Sequence, residues 1–486
     1  MIQPTYGEIK NAKTIRSENR VKAEVNFTLA EDIKKSVSVN AKAFLVSSKS
    51  ENGKTEVKSK VVFTLVYLSE DGYKKIETDT DVSTSFPFEN CIISLSVSDA
   101  KLLSGGSSAA VNVIFTAEYK TFEENSYLQG GDNIIIRENT EEIDIRYQPK
   151  DNRHTVSDEF DLDYAIKEVL THNATVALNE VSAGLGRIIF EGEVILTLKA
   201  LPFSENNDIL KERKIIPFRF ELDYSDCSPE MFAFGNVEVV SNNLKIFSDE
   251  DKNTCRVSVD VGLLISGEAV GKESVAFIED AYLKDFNSGL TVKNLKLNRF
   301  AGRKVVTEKI NGIVGESTDG GRIVAVMGES LFVYGTNASG ETLNIDGAVR
   351  CDVVFKNSDN GISTKVAEIP YSIEILEKLT AESIKICLLD LSAKIRNGEI
   401  EIDAVLLISY NAFEEKTVMC VEDITEGERR NLSQSAISVF IPTKGDGIWE
   451  IAKQFGSDED EIKRLNPDLN FPLSGEERII IYRQKI

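Results

Sequence analysis

The fold class predicted for this chain is mainly β: three tandem β-rich repeats with antiparallel, sandwich-like sheets, followed by a small βααβ unit. Three observations predict it. A block of apolar runs, glycine and proline recurs three times, and each copy closes in a strand that alternates apolar and polar side chains. The last fifty residues then switch from a period of two to helical spacing and back.

In chain order, the first copy runs Phe44-Leu45-Val46, Gly53, Val61-Val62-Phe63-Thr64-Leu65-Val66-Tyr67 and Phe86-Pro87-Phe88. The second has Val176-Ala177-Leu178, Gly186, Val194-Ile195-Leu196-Thr197-Leu198 and Ile216-Pro217-Phe218. The third has Leu331-Phe332-Val333, Gly340, Val349-Arg350-Cys351-Asp352-Val353-Val354-Phe355 and Ile369-Pro370-Tyr371. Glycine and proline stand 34, 31 and 30 positions apart in the three copies, a spacing too regular for chance. The glycines read as hairpin turns. The prolines read as strand starts or edges, where no ladder donor is needed.

The closing strands put Val111, Val113, Phe115, Ala117 and Tyr119 on one face in the first copy. Cys255, Val257, Val259, Val261 and Leu263 do so in the second, and Ile400, Ile402, Ala404, Leu406 and Ile408 in the third, opposite Glu399, Glu401 and Asp403. One apolar face at a period of two marks a half-buried antiparallel sheet. Between these strands the pattern weakens. Asn125 to Asp132, polar with a glycine pair, reads as a loop, and Ile143 to Val156 and Asp280 to Val314 read as connectors. Tyr164 to Leu170 fits a helix or a strand equally, and Glu422 to Gln434 reads as a linker. The division that results is 1–145, 146–297 and 298–430 for the repeats and 436–486 for the last domain.

That last domain has the clearest local grammar. Ile437 to Pro442 reads as a strand stopped by proline, Gly445-Asp446-Gly447 as a turn, and Ile448 to Phe455 as a helix ended by Gly456. Ser457 is the expected cap of a second helix, which stops at Asn466-Pro467. Arg478 to Tyr482 closes the unit as a strand.

This arrangement resembles a LysM domain. The likeness rests on Gly445-Asp446, Ile448-Trp449-Glu450-Ile451-Ala452, Phe455-Gly456, Ile462 to Pro467, and Ser474-Gly475 before Arg478 to Ile481. It implies a shallow groove for N-acetylglucosamine-containing glycan, lined here by Asp446, Gly447, Ile448, Asn466, Pro467, Asp468 and Leu469. Gly447 stands where the family often carries Thr or Ser, and Glu476-Glu477 where a glutamine or small polar residue is common. Trp449, the only tryptophan, packs its helix on the strands or anchors a binding surface with Ile448, Pro467, Leu469 and Phe471.

Charge and chemistry narrow the function classes. The 56 Lys/Arg against 79 Asp/Glu leave −23, which repels nucleic acid and anionic lipid. Ser438 to Ile486 carries only −2 of this, so −21 lies before it. Met1 to Glu8 has no basic stretch leading into an apolar run, and no stretch approaches the ~18 apolar residues of a membrane span. The expectation is neither export nor membrane insertion. Cys91, Cys227, Cys255, Cys351, Cys387 and Cys420 are scattered, which fits reduced, mostly buried thiols and argues against zinc.

His154 and His172 have no metal or nucleophile set in sequence, and Gly105-Gly106-Ser107-Ser108 lacks the context of a nucleophile elbow. Gly184-Leu185-Gly186-Arg187 only begins a dinucleotide pattern, and Gly267 to Lys272 is one residue short of a phosphate-binding loop. Asp158 to Asp163 lacks the glycine and last glutamate of a calcium loop. No enzyme, cofactor or metal site is expected.

The repeats resemble the SPOCS domain of spore-coat-associated proteins, through the Phe190-Glu191-Gly192-Glu193-Val194 strand, the Ile-Pro-Phe/Tyr step and Asp280-Ala281-Tyr282. Three such repeats before one LysM domain look like the SipL type of spore morphogenetic protein. The resemblance implies a scaffold in the mother-cell cytoplasm at the forespore surface. In that family the LysM end is linked to a coat-scaffold ATPase of the SpoIVA type, a protein partner in place of a sugar. A peptidoglycan- or cortex-binding role is the alternative. Repeated β-domains also leave sheet edges open to self-association.

Overall fold

In a computed structural model the chain is mainly β, with two short helices. The structure describes residues 2–28, 33–103, 107–203, 208–251, 253–315, 321–339, 341–357, 361–430, 437–470 and 473–482. The first six strands are β1 (Gln3–Asn26), β2 (Lys35–Glu51), β3 (Lys54–Ser69), β4 (Gly72–Phe86), β5 (Ile92–Leu102) and β6 (Ser108–Asp132). They form two antiparallel sheets, β2-β3-β4 and β1-β6-β5. Their inner faces bury Val61, Phe63 and Leu65 against Val111, Val113 and Phe115, which is the packing of a sandwich.

The same order occurs twice more. β7 (Ile134–Arg146), β8 (Lys150–Leu162), β9 (Ile166–Gly184), β10 (Arg187–Pro202), β11 (Leu210–Asp223), β12 (Phe232–Asp249) and β13 (Thr254–Leu283) form the second set. Here β9-β10-β11 faces β8-β13-β12. β14 (Phe286–Val314), β15 (Arg322–Ser339), β16 (Thr342–Lys356), β17 (Ile362–Leu376), β18 (Thr380–Arg396) and β19 (Glu399–Arg429) form the third, β15-β16-β17 facing β14-β19-β18. The apolar faces expected for the closing strands are buried in all three, apart from Tyr119, which is half-buried.

The closing strands are longer than their sandwiches need. β6 pairs with β1 from Ser108 to Asp132, and β19 with β14 from Ile400 to Arg429. β13 pairs first with β8 and then, from Val270 to Leu283, with β7. Three two-stranded ribbons result, and they converge on shared cores. Each closing strand carries a β-bulge in its ribbon, skipping Gln129, Glu279 and Glu422. The residues just before the bulges, Leu128, Ile278 and Val421, are buried together, and so are Tyr127, Phe277 and Cys420 one step back. Corresponding positions therefore meet, and the three sets surround a common axis. Near its other end, bulges in β2, β9 and β15 skip Val37, Leu170 and Val324, and these extra side chains pack in one cluster.

The ribbons account for most departures from the sequence expectations. Asn125 to Asp132 is not a loop but the end of β6, paired with Ile9 to Gln3. Gly131, at φ +148°, is there because a Cβ would lie 2.3 Å from the Gln3 carbonyl oxygen. The connectors Ile143 to Val156 and Asp280 to Val314 are mostly strand, and the expected linker from Glu422 is strand as far as Arg429. The ladders begin at Ile134 and Phe286, so they run across the divisions drawn at 145/146 and 297/298. Tyr164 to Leu170 enters strand at Ile166.

Pro217 and Pro370 lie in the edge strands β11 and β17, opposite Glu193 and Ala348. The matching position opposite Lys60 is Asp81, whereas Pro87 lies beyond β4. Asn52 and Gly53 make the first hairpin turn with φ 53° and 77°. Gly186 turns the second with φ 69°, and Gly340 lies outside the described residues.

The chain ends in β20 (Ile437–Phe440), α1 (Ile448–Phe455), α2 (Glu459–Leu465) and β21 (Ile479–Tyr482), with β20 antiparallel to β21. Among the described residues no helix is long and apolar enough to cross a membrane.

Candidate functional site

The terminal βααβ unit is built from local signals. Trp449, Ile451 and Ala452 of α1 are buried, and Gly456 ends the helix in the left-handed region at φ 60°, its N–H reaching the Ala452 carbonyl. Arg430 caps the same end from outside the unit, donating to the carbonyls of Lys453 (2.6 Å) and Gln454 (3.1 Å). The cap of α2 is Asp458, which accepts from the Asp460 N–H, in place of the expected Ser457. Ser457 is turned inward because its carbonyl accepts the Tyr282 hydroxyl at 2.6 Å.

The predicted groove residues fall into two groups. The loops carrying Asp446 and Leu469 are tied together through Leu473, by Gly445 N–H to the Leu473 carbonyl at 2.9 Å and Leu473 N–H to the Asp446 carbonyl at 3.3 Å. Asp446 also accepts the Thr443 N–H at 2.7 Å. Gly447 is the extended residue ahead of α1, and Pro467 and Asp468 are exposed beyond α2. Asn466 behaves as a piece of sheet: its amide both donates to and accepts from the backbone of Ile480, at 2.7 Å each way. Glu477 accepts the N–H groups of Ser474, Gly475 and Glu476, and these backbone bonds hold its carboxyl down at about 2. Ile448 is half-buried against the unit's core, and Phe471 lies outside the described residues.

Trp449 belongs to neither loop. It is 6% exposed and points at β13, where its indole N–H donates to Asp280 at 2.8 Å and its ring meets Tyr282 edge-on at 5.0 Å. Arg137 of β7 lies over the ring at 5.3 Å. Lys453 binds the other Asp280 oxygen at 2.5 Å. Burial pushes the Asp280 carboxyl up, but the hydrogen bonds from Lys453 and Trp449 outweigh it and hold it below the usual carboxylate value. Tyr282 is fully buried inside the unit's core with Ile451, Ile462 and Ile479, and burial pushes its hydroxyl up. Burying a ring of this size stabilises the seat by about 2 kcal/mol. The unit thus completes its core with a side chain from the β13 ribbon.

The sequence reading missed this seat: Asp280 and Tyr282 stand in a stretch taken as a connector. The available signal was the lone tryptophan of α1, whose indole N–H needs an acceptor once it is buried.

A second concavity of about 770 Å³ lies between the three strand sets. At one side Arg146 bonds Glu268 (2.9 Å) and Glu382 (3.0 Å), and its guanidinium lies over Phe234 and Phe413. Lys120 also pairs with Glu268, and Thr14 donates to Glu382 at 2.6 Å. Lys385–Glu238 at 2.7 Å and Ser383–Glu118 at 2.9 Å link the third set to the other two. Burial pushes the Cys387 thiol up to about 11, which disfavours the thiolate. These groups bond chiefly with one another, so the arrangement joins the sets.

His172 donates from Nε2 to the Asn242 carbonyl (3.2 Å), and burial pushes its imidazole pKa down. His154 stacks on Phe220 at 4.4 Å. Among the described residues no cluster of His, Cys, Asp and Glu is arranged to hold a metal ion. Comparison of the chain with protein-family models, with curated proteins and with solved structures finds no match in any of the three.

Proposed function

We propose that this protein is a non-enzymatic scaffold of spore-coat assembly, with three SPOCS-like sandwiches carrying one LysM-like unit. Its terminal groove would engage a coat-scaffold ATPase of the SpoIVA type at the forespore surface in the mother cell. The observation that carries a protein partner over a glycan is the state of the groove's polar groups. Asn466 is committed to Ile480 and one Asp446 carboxylate oxygen to Thr443, while Gly447 has no hydroxyl. A sugar would find few free partners there, and sugars are held chiefly by hydrogen bonds.

Because Tyr282 completes the unit's core, the test uses the full chain. Calorimetric titration with the purified ATPase should give saturable heat, weakened about tenfold by Asp468→Lys at the exposed lip. N-acetylglucosamine oligomers should give none. Saturable sugar binding without ATPase binding would replace this reading with cortex-glycan recognition.

A further inference from the structure

The two-stranded sheet of the terminal unit carries an exposed apolar patch. Ile437, Val439 and Ile441 are 61%, 62% and 65% exposed, and Ile480 and Tyr482 are 41% and 37% exposed. The register sets Ile437 opposite Tyr482 and Val439 opposite Ile480, so these side chains share one face of the sheet. The other face holds Phe440, Ile479 and Ile481 against the helices. The outer face is therefore apolar and turned away from the helices.

We infer that this face is the contact between two copies of the chain, stacked sheet on sheet. Three observations favour a second copy. Side chains of this size and exposure offer on the order of 500 Å² per copy, so a symmetric pair removes about 1,000 Å², the lower limit of a specific interface. The chain carries −23 overall, but Ser438 to Ile486 carries only −2, so this end lets two copies meet with least repulsion. The five side chains of the patch are uncharged, with Arg478 bordering them two positions before Ile480, and an apolar patch of this kind is complementary to itself. Pairing along the β20 edge instead would leave both faces in water, whereas stacking covers them.

Sedimentation equilibrium of the full chain tests this. A monomer–dimer equilibrium in the micromolar range is expected, strengthened by salt as the acidic bodies are screened. Val439→Lys and Ile480→Lys should each weaken it at least tenfold. Unchanged emission from Trp449, buried on the far side, would show that the unit remains folded and seated. A monomer at every concentration overturns the inference, as does a dimer indifferent to both substitutions. A monomer that instead loses its coat partner on Val439→Lys also overturns it and gives the face to that other protein.

Discussion

Asp280 is the residue on which the terminal unit turns. It is the acceptor for both the Trp449 indole and the Lys453 ammonium, and its folded carboxyl titrates below an unfolded one. Its contribution is therefore complete above the unfolded value of about 4 and is lost as pH falls through the lower folded value. Trp449 emission should shift to the red in that acid window and remain constant from there to neutrality. Asp280→Asn keeps a polar partner but removes the charge, and should cost about 1–2 kcal/mol in urea unfolding followed at Trp449. An unshifted emission in the variant would remove Asp280 from the role given to it.

At the scale of elements, the helices, their stops and the closing strands were legible because each rests on neighbours in sequence. Apolar spacing drew α1, Gly456 ended it, and Asn466-Pro467 stopped α2. The ribbons were not legible. Between Asn125 and Gly131 only the adjacent Tyr127 and Leu128 are large and apolar, which shows no alternation, and the strand conformation comes from β1 alongside, more than a hundred positions away. Asp280 and Trp449 are likewise 169 positions apart. Ser457 misled for the same reason, since the Tyr282 hydroxyl that turns it inward is far away in sequence.

Gly456 shows how tightly element and seat are joined: a Cβ there would lie 2.0 Å from the Lys284 carbonyl oxygen. Gly456→Ala meets that clash beside the ~1–2 kcal/mol of a left-handed alanine. It should unseat the unit, giving Trp449 emission shifted to the red relative to the parent. Emission equal to the parent's would mean that the close approach is not needed.

For the whole molecule, the three strand sets are held together by polar as well as apolar contacts, and Arg146 is the junction. It joins Glu268 of the second set to Glu382 of the third, beside Thr14 and Lys120 of the first. Burial works against its charge, and the two glutamates more than restore it. Arg146→Ala would leave two buried carboxylates short of their main cation, and should cost about 3–5 kcal/mol. A variant as stable as the parent at neutral pH would show that the junction is held by the aromatic cluster alone.

The seat also breaks the threefold likeness of the ribbons. Counting from the bulges, the positions that match Asp280 and Tyr282 are Gly130 and Asp132 on the first ribbon, and Asp423 and Thr425 on the third. Neither pair offers an aromatic plug, and Asp423 is engaged by Tyr6. The joint is therefore keyed: of three similar sockets, one accepts the terminal unit, and in one orientation. A partner bound at the groove as proposed would be held at a fixed azimuth about the body, so a lattice assembled through it would inherit a handedness from Tyr282.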